Sequence, residues 1–276
     1  MAGPSQPGTP RGDAAGVAVL GEGVVLARGG SVVVAASDVR IPAGAVTSVI
    51  GPNGSGKTTL MHAIAGILEP ERGVLTVLGS SPAAVHARVA YVLQSTAVNE
   101  RLPVTVREVV GMARYARLGA FRRFGAADRR AVDEAMERLD IADLAQRHLR
   151  ELSGGQRQRV FVAQGLAQEA EILLLDEPVT ALDIPSHERI DAVVEEERHR
   201  GTTIVLSTHD VSEAARGDHV LLMGGRVVAE GAPSVVLTEA RLSEAYGADL
   251  LHHPPHEGGL HIDDPHHRPT LYREGR

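Results

Sequence analysis

The stretch Gly51-Pro52-Asn53-Gly54-Ser55-Gly56-Lys57-Thr58-Thr59 matches G-x-x-x-x-G-K-[ST] in full. Glycines at this spacing let backbone N–H groups turn inward and approach phosphate oxygens, and a following helix adds the positive end of its dipole. Lys57 can reach the β- and γ-phosphates of a nucleotide, and the Thr58 hydroxyl suits Mg²⁺. Lys57 is the only lysine among the 28 Lys and Arg residues of the chain. A guanidinium is a planar fork. An ammonium is a compact point charge that threads into a glycine-lined loop. Two apolar runs end in polar residues: Glu171–Glu177 (EILLLDE) closes on Asp176 and Glu177, and Thr202–Asp210 (TTIVLSTHD) closes on His209. Parallel α/β sheets bind ligands at the carboxyl ends of their strands.

The elements that must position these groups alternate. AVTSVIG (45–51), GVLTVLG (73–79), RVAYVLQ (88–94), EILLLDE and TTIVLSTHD read as strands. The segment TTLMHAIAGIL after Lys57 and SHERIDAVVEEERHR (186–200) read as helices. Between about 104 and 168 the pattern is helical throughout, in VTVREVVGMARYARLG, AADRRAVDEAMERL and GQRQRVFVAQGLAQ. The expectation is an α/β fold interrupted by a helical insertion. Within it, Leu152-Ser153-Gly154-Gly155-Gln156 opens a helix as a capping box, Ser153 as N-cap and Gln156 three residues on. The two glycines make a second anion-binding surface separate from the first.

Composition narrows the classes. The 276 residues are 43% hydrophobic and 23% charged, with a formal net charge of −7, which opposes nucleic-acid binding by phosphate neutralisation. There is no cysteine, so disulfides and thiolate metal sites are excluded. Residues 1–16 have no apolar h-region and read as a disordered leader, and no apolar run is long enough to span a bilayer. Aromatics are few, and none precedes Tyr91. The segment 251–276 is rich in Pro, Gly and His. Its His252, His253, His256, His261, His266 and His267 are candidate ligands for a zinc-like ion, against the plainer reading of a polar tail.

LSGGQ followed by ILLLDEP resembles the signature and Walker B segments of an ABC-type ATPase, with further family motifs in order: Gln94 as Q-loop, Asp183 in TALD as D-loop, His209 as switch histidine. The resemblance spans about residues 17–247. It implies a P-loop NTPase core over about 17–94 and 169–235, a helical signature subdomain over about 95–168 and a small N-terminal β region. It also implies ATP and Mg²⁺ as ligands. Asp176, Thr58 and Gln94 would face Mg²⁺, Glu177 would polarise the attacking water, and His209 and Lys57 would contact the γ-phosphate. Leu152 to Gln156 would act in trans, closing on the ATP of a second copy in a head-to-tail dimer. Family members usually carry an aromatic before the P-loop to stack on adenine. Here Arg28 stands at that position, either as a stacking guanidinium or as a surface turn residue. The segment RLPVTVREVVGMARYARLG is similar to cassettes of zinc or manganese importers. That implies a multi-spanning permease, an extracytoplasmic metal-binding protein and a place on the cytoplasmic face of the plasma membrane. A soluble ABC ATPase of the iron–sulfur assembly type, or a cassette for iron chelates, remains the alternative. Arg107, Arg114, Arg117, Arg122 and Arg123 could face the permease or lipid headgroups, but for most of them a solvated helix face is expected.

Overall fold

The computed structural model describes residues 16–93, 103–118, 123–178 and 182–247, and the backbone of 251–252 and 261–262. The first part of the chain gives β1 (Val17–Arg28), β2 (Ser31–Pro42), β3 (Val46–Ile50), α1 (Lys57–Ile64), β4 (Arg72–Val77), α2 (Pro82–Val85) and β5 (Val89–Val92). The insertion holds α3 (Val106–Met112), α4 (Tyr115–Leu118), α5 (Ala126–Arg138) and α6 (Gly154–Ala167). The chain returns as β6 (Ile172–Asp176), α7 (Ile184–His199), β7 (Thr203–Thr208), α8 (Val211–Ala214), β8 (His219–Met223) and β9 (Val227–Gly231). It continues through α9 (Pro233–Val236) and α10 (Glu239–Tyr246) to the two-residue strands β10 (Leu251–His252) and β11 (His261–Ile262).

The central sheet has the order β5-β6-β7-β3-β8-β9, parallel except for the last pair. A second sheet, β2-β1-β4, is antiparallel. Both faces of the central sheet are covered, as the continuous apolar runs require. Along β6 the side chains alternate: Ile172 and Leu174 join the core beneath the antiparallel sheet and α1, while Leu173 and Leu175 join the core shared with α3, α5 and α6. A third cluster closes the far end, where Tyr246 and Leu242 of α10 pack on Ile50, Val220 and Leu222. Buried packing thus extends to Tyr246.

The helical reading of 104–119 needs one correction. The segment divides into α3 and α4, with Ala113 and Arg114 in a turn. Arg114 lies on no solvated face. Its side chain is only 8% exposed, and the guanidinium donates to Asp128 Oδ1 at 3.0 Å and, through Nη1, to the Ala167 carbonyl and Glu169 Oε2, both at 2.7 Å. It ties the α3–α4 turn to α5 and to the end of α6. Arg107 and Arg117 do sit at the surface, paired with Asp133 and Glu169. Arg123 is exposed, and Arg122 lies outside the described residues.

Candidate functional site

Parallel register sets the site. Ile50 pairs with Thr208, and Asp176 with Ser207, so β3, β6 and β7 end at nearly one level. The loop 51–56, the pair Asp176–Glu177 and the Thr208–His209 step therefore leave the sheet side by side. The loop enters α1 through Gly56, whose φ of 101° lies in the region open to glycine, and a Cβ there would stand 2.4 Å from Val34 Cγ2. No side chain caps α1. Its first amides are therefore not taken up by a capping side chain, as a phosphate site requires.

Lys57 is 6% exposed and folds back over the loop, its Nζ donating to the Gly51 carbonyl at 2.7 Å and the Pro52 carbonyl at 3.3 Å. Burial lowers its pKa, while Glu177 and Asp176, close enough to act on it, pull the other way. Two carbonyls thus hold the ammonium, poor substitutes for the oxygens of a phosphate. The Ser55 hydroxyl of the same loop is buried and has no hydrogen-bond partner among the described residues. An orphaned hydroxyl inside a glycine loop fits a polyphosphate, and the oxygen donors of Thr58 and Asp176 are of the hard type that Mg²⁺ takes.

Asp176 is 2% exposed and clamped from both neighbouring strands. Ser207 Oγ donates to Oδ1 at 2.6 Å and Tyr91 Oη donates to Oδ2 at 3.0 Å. The same Ser207 oxygen accepts from the Glu177 N–H at 2.9 Å. Glu177 has φ 47°, a left-handed backbone that costs a residue with a side chain about 1–2 kcal/mol. The hydroxyl at Ser207 holds it there, at the residue expected to polarise water, which is where strain is commonly retained. His209 is exposed at the mouth.

Arg28, at the turn between β1 and β2, donates from Nη2 to His62 Nδ1 at 2.8 Å. His62 lies on α1, and its ring meets Tyr91 edge-on, centroids 5.4 Å apart at 86°. Arg28 is therefore an anchored group on the rim of the phosphate helix. Ser207, Tyr91 and His62 were not singled out from the sequence. Strand register brings Ser207 and Tyr91 to Asp176, and only the position of His62 five residues after Lys57 hinted that α1 would carry it near the site.

Ser153 and Gln156 form the expected capping box, each side chain accepting from the other's backbone N–H at 3.2 and 3.0 Å. Ser153 and Gly154 are exposed, so the amino end of α6 faces solvent, while Leu152 is buried as its anchor. Gly155 is buried against α7: a Cβ there would stand 2.3 Å from Asp183 Oδ2 and 2.6 Å from Ser186 Oγ. Asp183 caps α7 by accepting from the Ser186 N–H at 2.8 Å, and the bonds from the Ser186 hydroxyl and then its N–H lower the Asp183 pKa. The segment Leu152–Gln156 and Asp183 thus abut within one chain, and that contact leaves no room for a side chain at position 155. Ile184, beside Asp183, is 73% exposed. Gln94 lies outside the described residues, as do His253, His256, His266 and His267. His252 and His261 are backbone partners across β10 and β11. Among the described residues no group of three metal-ligating side chains comes together, and no helix is long and apolar enough to cross a membrane.

The family model described as ABC transporter matches residues 34–180. The chain belongs to the ABC transporter family. The zinc transport system ATP-binding protein TroB of Treponema pallidum is 40% identical to this cassette over 214 residues, covering 77% of this chain and 80% of that protein. The manganese transport system ATP-binding protein MntB of Halalkalibacterium halodurans is 38% identical, covering 78% and 87%. Among solved structures, cbiO1 of Clostridium perfringens, part of the ABC transporter complex cbiONQ, superposes with a TM-score of 0.69 at 27% identity, covering 83% of this chain and 94% of that one. A dimeric bacterial ABC transporter cassette superposes with 0.68 at 24% identity, over 78% and 98%. The cassette fold expected from the motifs is the fold observed.

Proposed function

We propose that this chain is the ATP-binding and hydrolysing subunit of a divalent-metal importer, for zinc or manganese, and that it works as a head-to-tail pair on a membrane permease. The observation that carries the reading is the row at the carboxyl ends of β3, β6 and β7, with an orphaned Ser55 hydroxyl and a carbonyl-held Lys57 inside it. In this reading Lys57 and the loop amides hold the β- and γ-phosphates, and Arg28, fixed by His62, lies against the base. Thr58 and Asp176, with Gln94 from beyond the described residues, hold Mg²⁺, which when bound neutralises charge on the phosphates. Glu177 orients the attacking water, and its carboxylate accepts the proton. His209 contacts the γ-phosphate. The exposed Ser153 and Gly154 face the ATP of the second copy, and the exposed Ile184 beside Asp183 is the kind of apolar group that such pairing covers.

The cargo comes from the relatives named for zinc and manganese transport systems. With it come a permease, an extracytoplasmic metal-binding protein and a peripheral place on the cytoplasmic face of the membrane. The test is purification from native membranes followed by reconstitution into vesicles. The expected result is a co-purifying hydrophobic permease and ATP-dependent movement of Zn²⁺ or Mn²⁺, lost in Glu177→Gln. A chain that hydrolyses ATP but is recovered only with soluble partners would favour the assembly-type alternative.

A further inference from the structure

Four side chains from four separate elements form one continuous path across the site: Arg28 at the end of β1, His62 on α1, Tyr91 on β5 and Asp176 at the end of β6. Each contact is of a definite kind. Arginine only donates, so the 2.8 Å bond from Arg28 makes His62 Nδ1 an acceptor and puts the ring proton on Nε2. Burial and the Arg28 charge both lower the His62 pKa, which keeps the ring neutral. The edge-on ring contact then fixes the plane of Tyr91. Tyr91 Oη lies 3.0 Å from Asp176 Oδ2, and a carboxylate only accepts, so the tyrosine hydroxyl is the donor.

At the far end of the path, Asp176 is held on one oxygen by Ser207 and on the other by Tyr91. The two donors come from the strands on either side of β6. A carboxylate has about four lone-pair sites on its two oxygens. Two neutral donors therefore leave capacity for a metal-bound water while removing the freedom of the carboxylate to turn. Metal sites commonly depend on such outer hydrogen bonds to orient their ligands.

We infer that Tyr91 is a positioning residue for the Mg²⁺-facing carboxylate, with His62 and Arg28 as its buttress. The inference rests on the proposed ATPase site. It assigns the tyrosine three residues before Gln94 a task beyond filling the edge of the sheet, and it makes the metal affinity of the site depend on a residue at the base end.

Mg²⁺ titration of nucleotide affinity tests this, using a fluorescent ATP analogue and the full chain. In Tyr91→Phe the ring and its packing remain and only the hydroxyl is lost. The expected result is a three- to tenfold higher Mg²⁺ concentration for half-maximal tightening of nucleotide binding, with Mg²⁺-free affinity unchanged within twofold. His62→Ala, which removes the ring contact but not the hydroxyl, should shift the Mg²⁺ midpoint in the same direction by less. Unchanged midpoints in both variants would overturn the inference while leaving the ATPase reading intact. So would an affinity loss in Tyr91→Phe that is equal with and without Mg²⁺, since that is what a structural role predicts. Failure of the unmodified chain to bind the analogue at all would remove the ATPase reading, and the inference with it.

Discussion

Ser207 is the residue whose removal should separate this account from a motif-only one. It is fully buried, and its hydroxyl serves two partners at once, donating to Asp176 Oδ1 and accepting from the Glu177 N–H. Ser207→Ala strips one of two donors from a buried carboxylate and leaves a backbone N–H without its acceptor. A lost bond to a charged group is worth about 1.5–3 kcal/mol, and a stranded buried donor costs about 1–3 kcal/mol. Part of this returns, because Glu177 can then leave its left-handed backbone and regain about 1–2 kcal/mol. The net destabilisation should be about 2–4 kcal/mol. At roughly 2–4 °C per kcal/mol for a chain of this size, Tm should fall by about 5–12 °C. The relaxation matters more for activity than for stability. A misplacement of about 1 Å in a reacting group costs on the order of 100-fold in rate. Steady-state ATP hydrolysis at saturating MgATP should therefore drop about that far, while nucleotide affinity without Mg²⁺ is retained. Differential scanning calorimetry and a phosphate-release assay read the two effects. A variant that melts within 2 °C of the parent and hydrolyses within about twofold of it would refute the reasoning.

Lys57 should be the one side chain labelled by an amine-reactive probe, with MgATP protecting it, as peptide mapping by mass spectrometry would show; equal labelling with and without nucleotide would count against its phosphate role. Arg114→Ala removes a buried cation from its bonds to Asp128, the Ala167 carbonyl and Glu169 and should cost about 3–5 kcal/mol in urea unfolding, whereas Arg117→Ala at the surface should cost no more than about 1 kcal/mol. Burial raises the Glu213 carboxyl above its ordinary 4.5 despite its bond from Thr208. A raised pKa in the folded state means stability present below 4.5 and lost as pH climbs through the raised value. Glu213→Gln should therefore gain Tm relative to the parent as pH rises from about 4 to 7. Ending the chain after Leu250 should abolish Zn²⁺ binding measured by calorimetry if the paired His252 and His261 belong to a metal site; no Zn²⁺ uptake by the full chain would remove that role.

The phosphate loop, the capping box at Ser153 and the acidic ends of the apolar runs were legible because each is local. A glycine spacing, an i to i+3 pair or a hydrophobic run ending in charge carries its physics within a few residues. The strand order was not legible, and what depends on it was missed. Ser207 takes its task only from the pairing of β7 with Asp176, and Tyr91 only from the pairing of β5 with β6. Arg114 was one of five arginines for most of which a solvated helix face was expected. Burial by α5 and the end of α6 could be seen only once those elements had packed. Arg28 stood out as a departure from a pattern, but its anchor, His62, is 34 positions away in sequence.

β3 lies between β7 and β8 in the sheet. The strand that launches the phosphate loop therefore has no neighbour until the ribosome has made Thr203–Thr208, and it gains its second only with His219–Met223. At synthesis rates of about 5–20 residues per second, that is a delay of roughly 10–30 s. During it a buried, β-branched strand waits unpaired, a slow non-local closure of the kind that limits folding rate. A nascent chain arrested before residue 203 should bind no nucleotide, however complete its glycine loop.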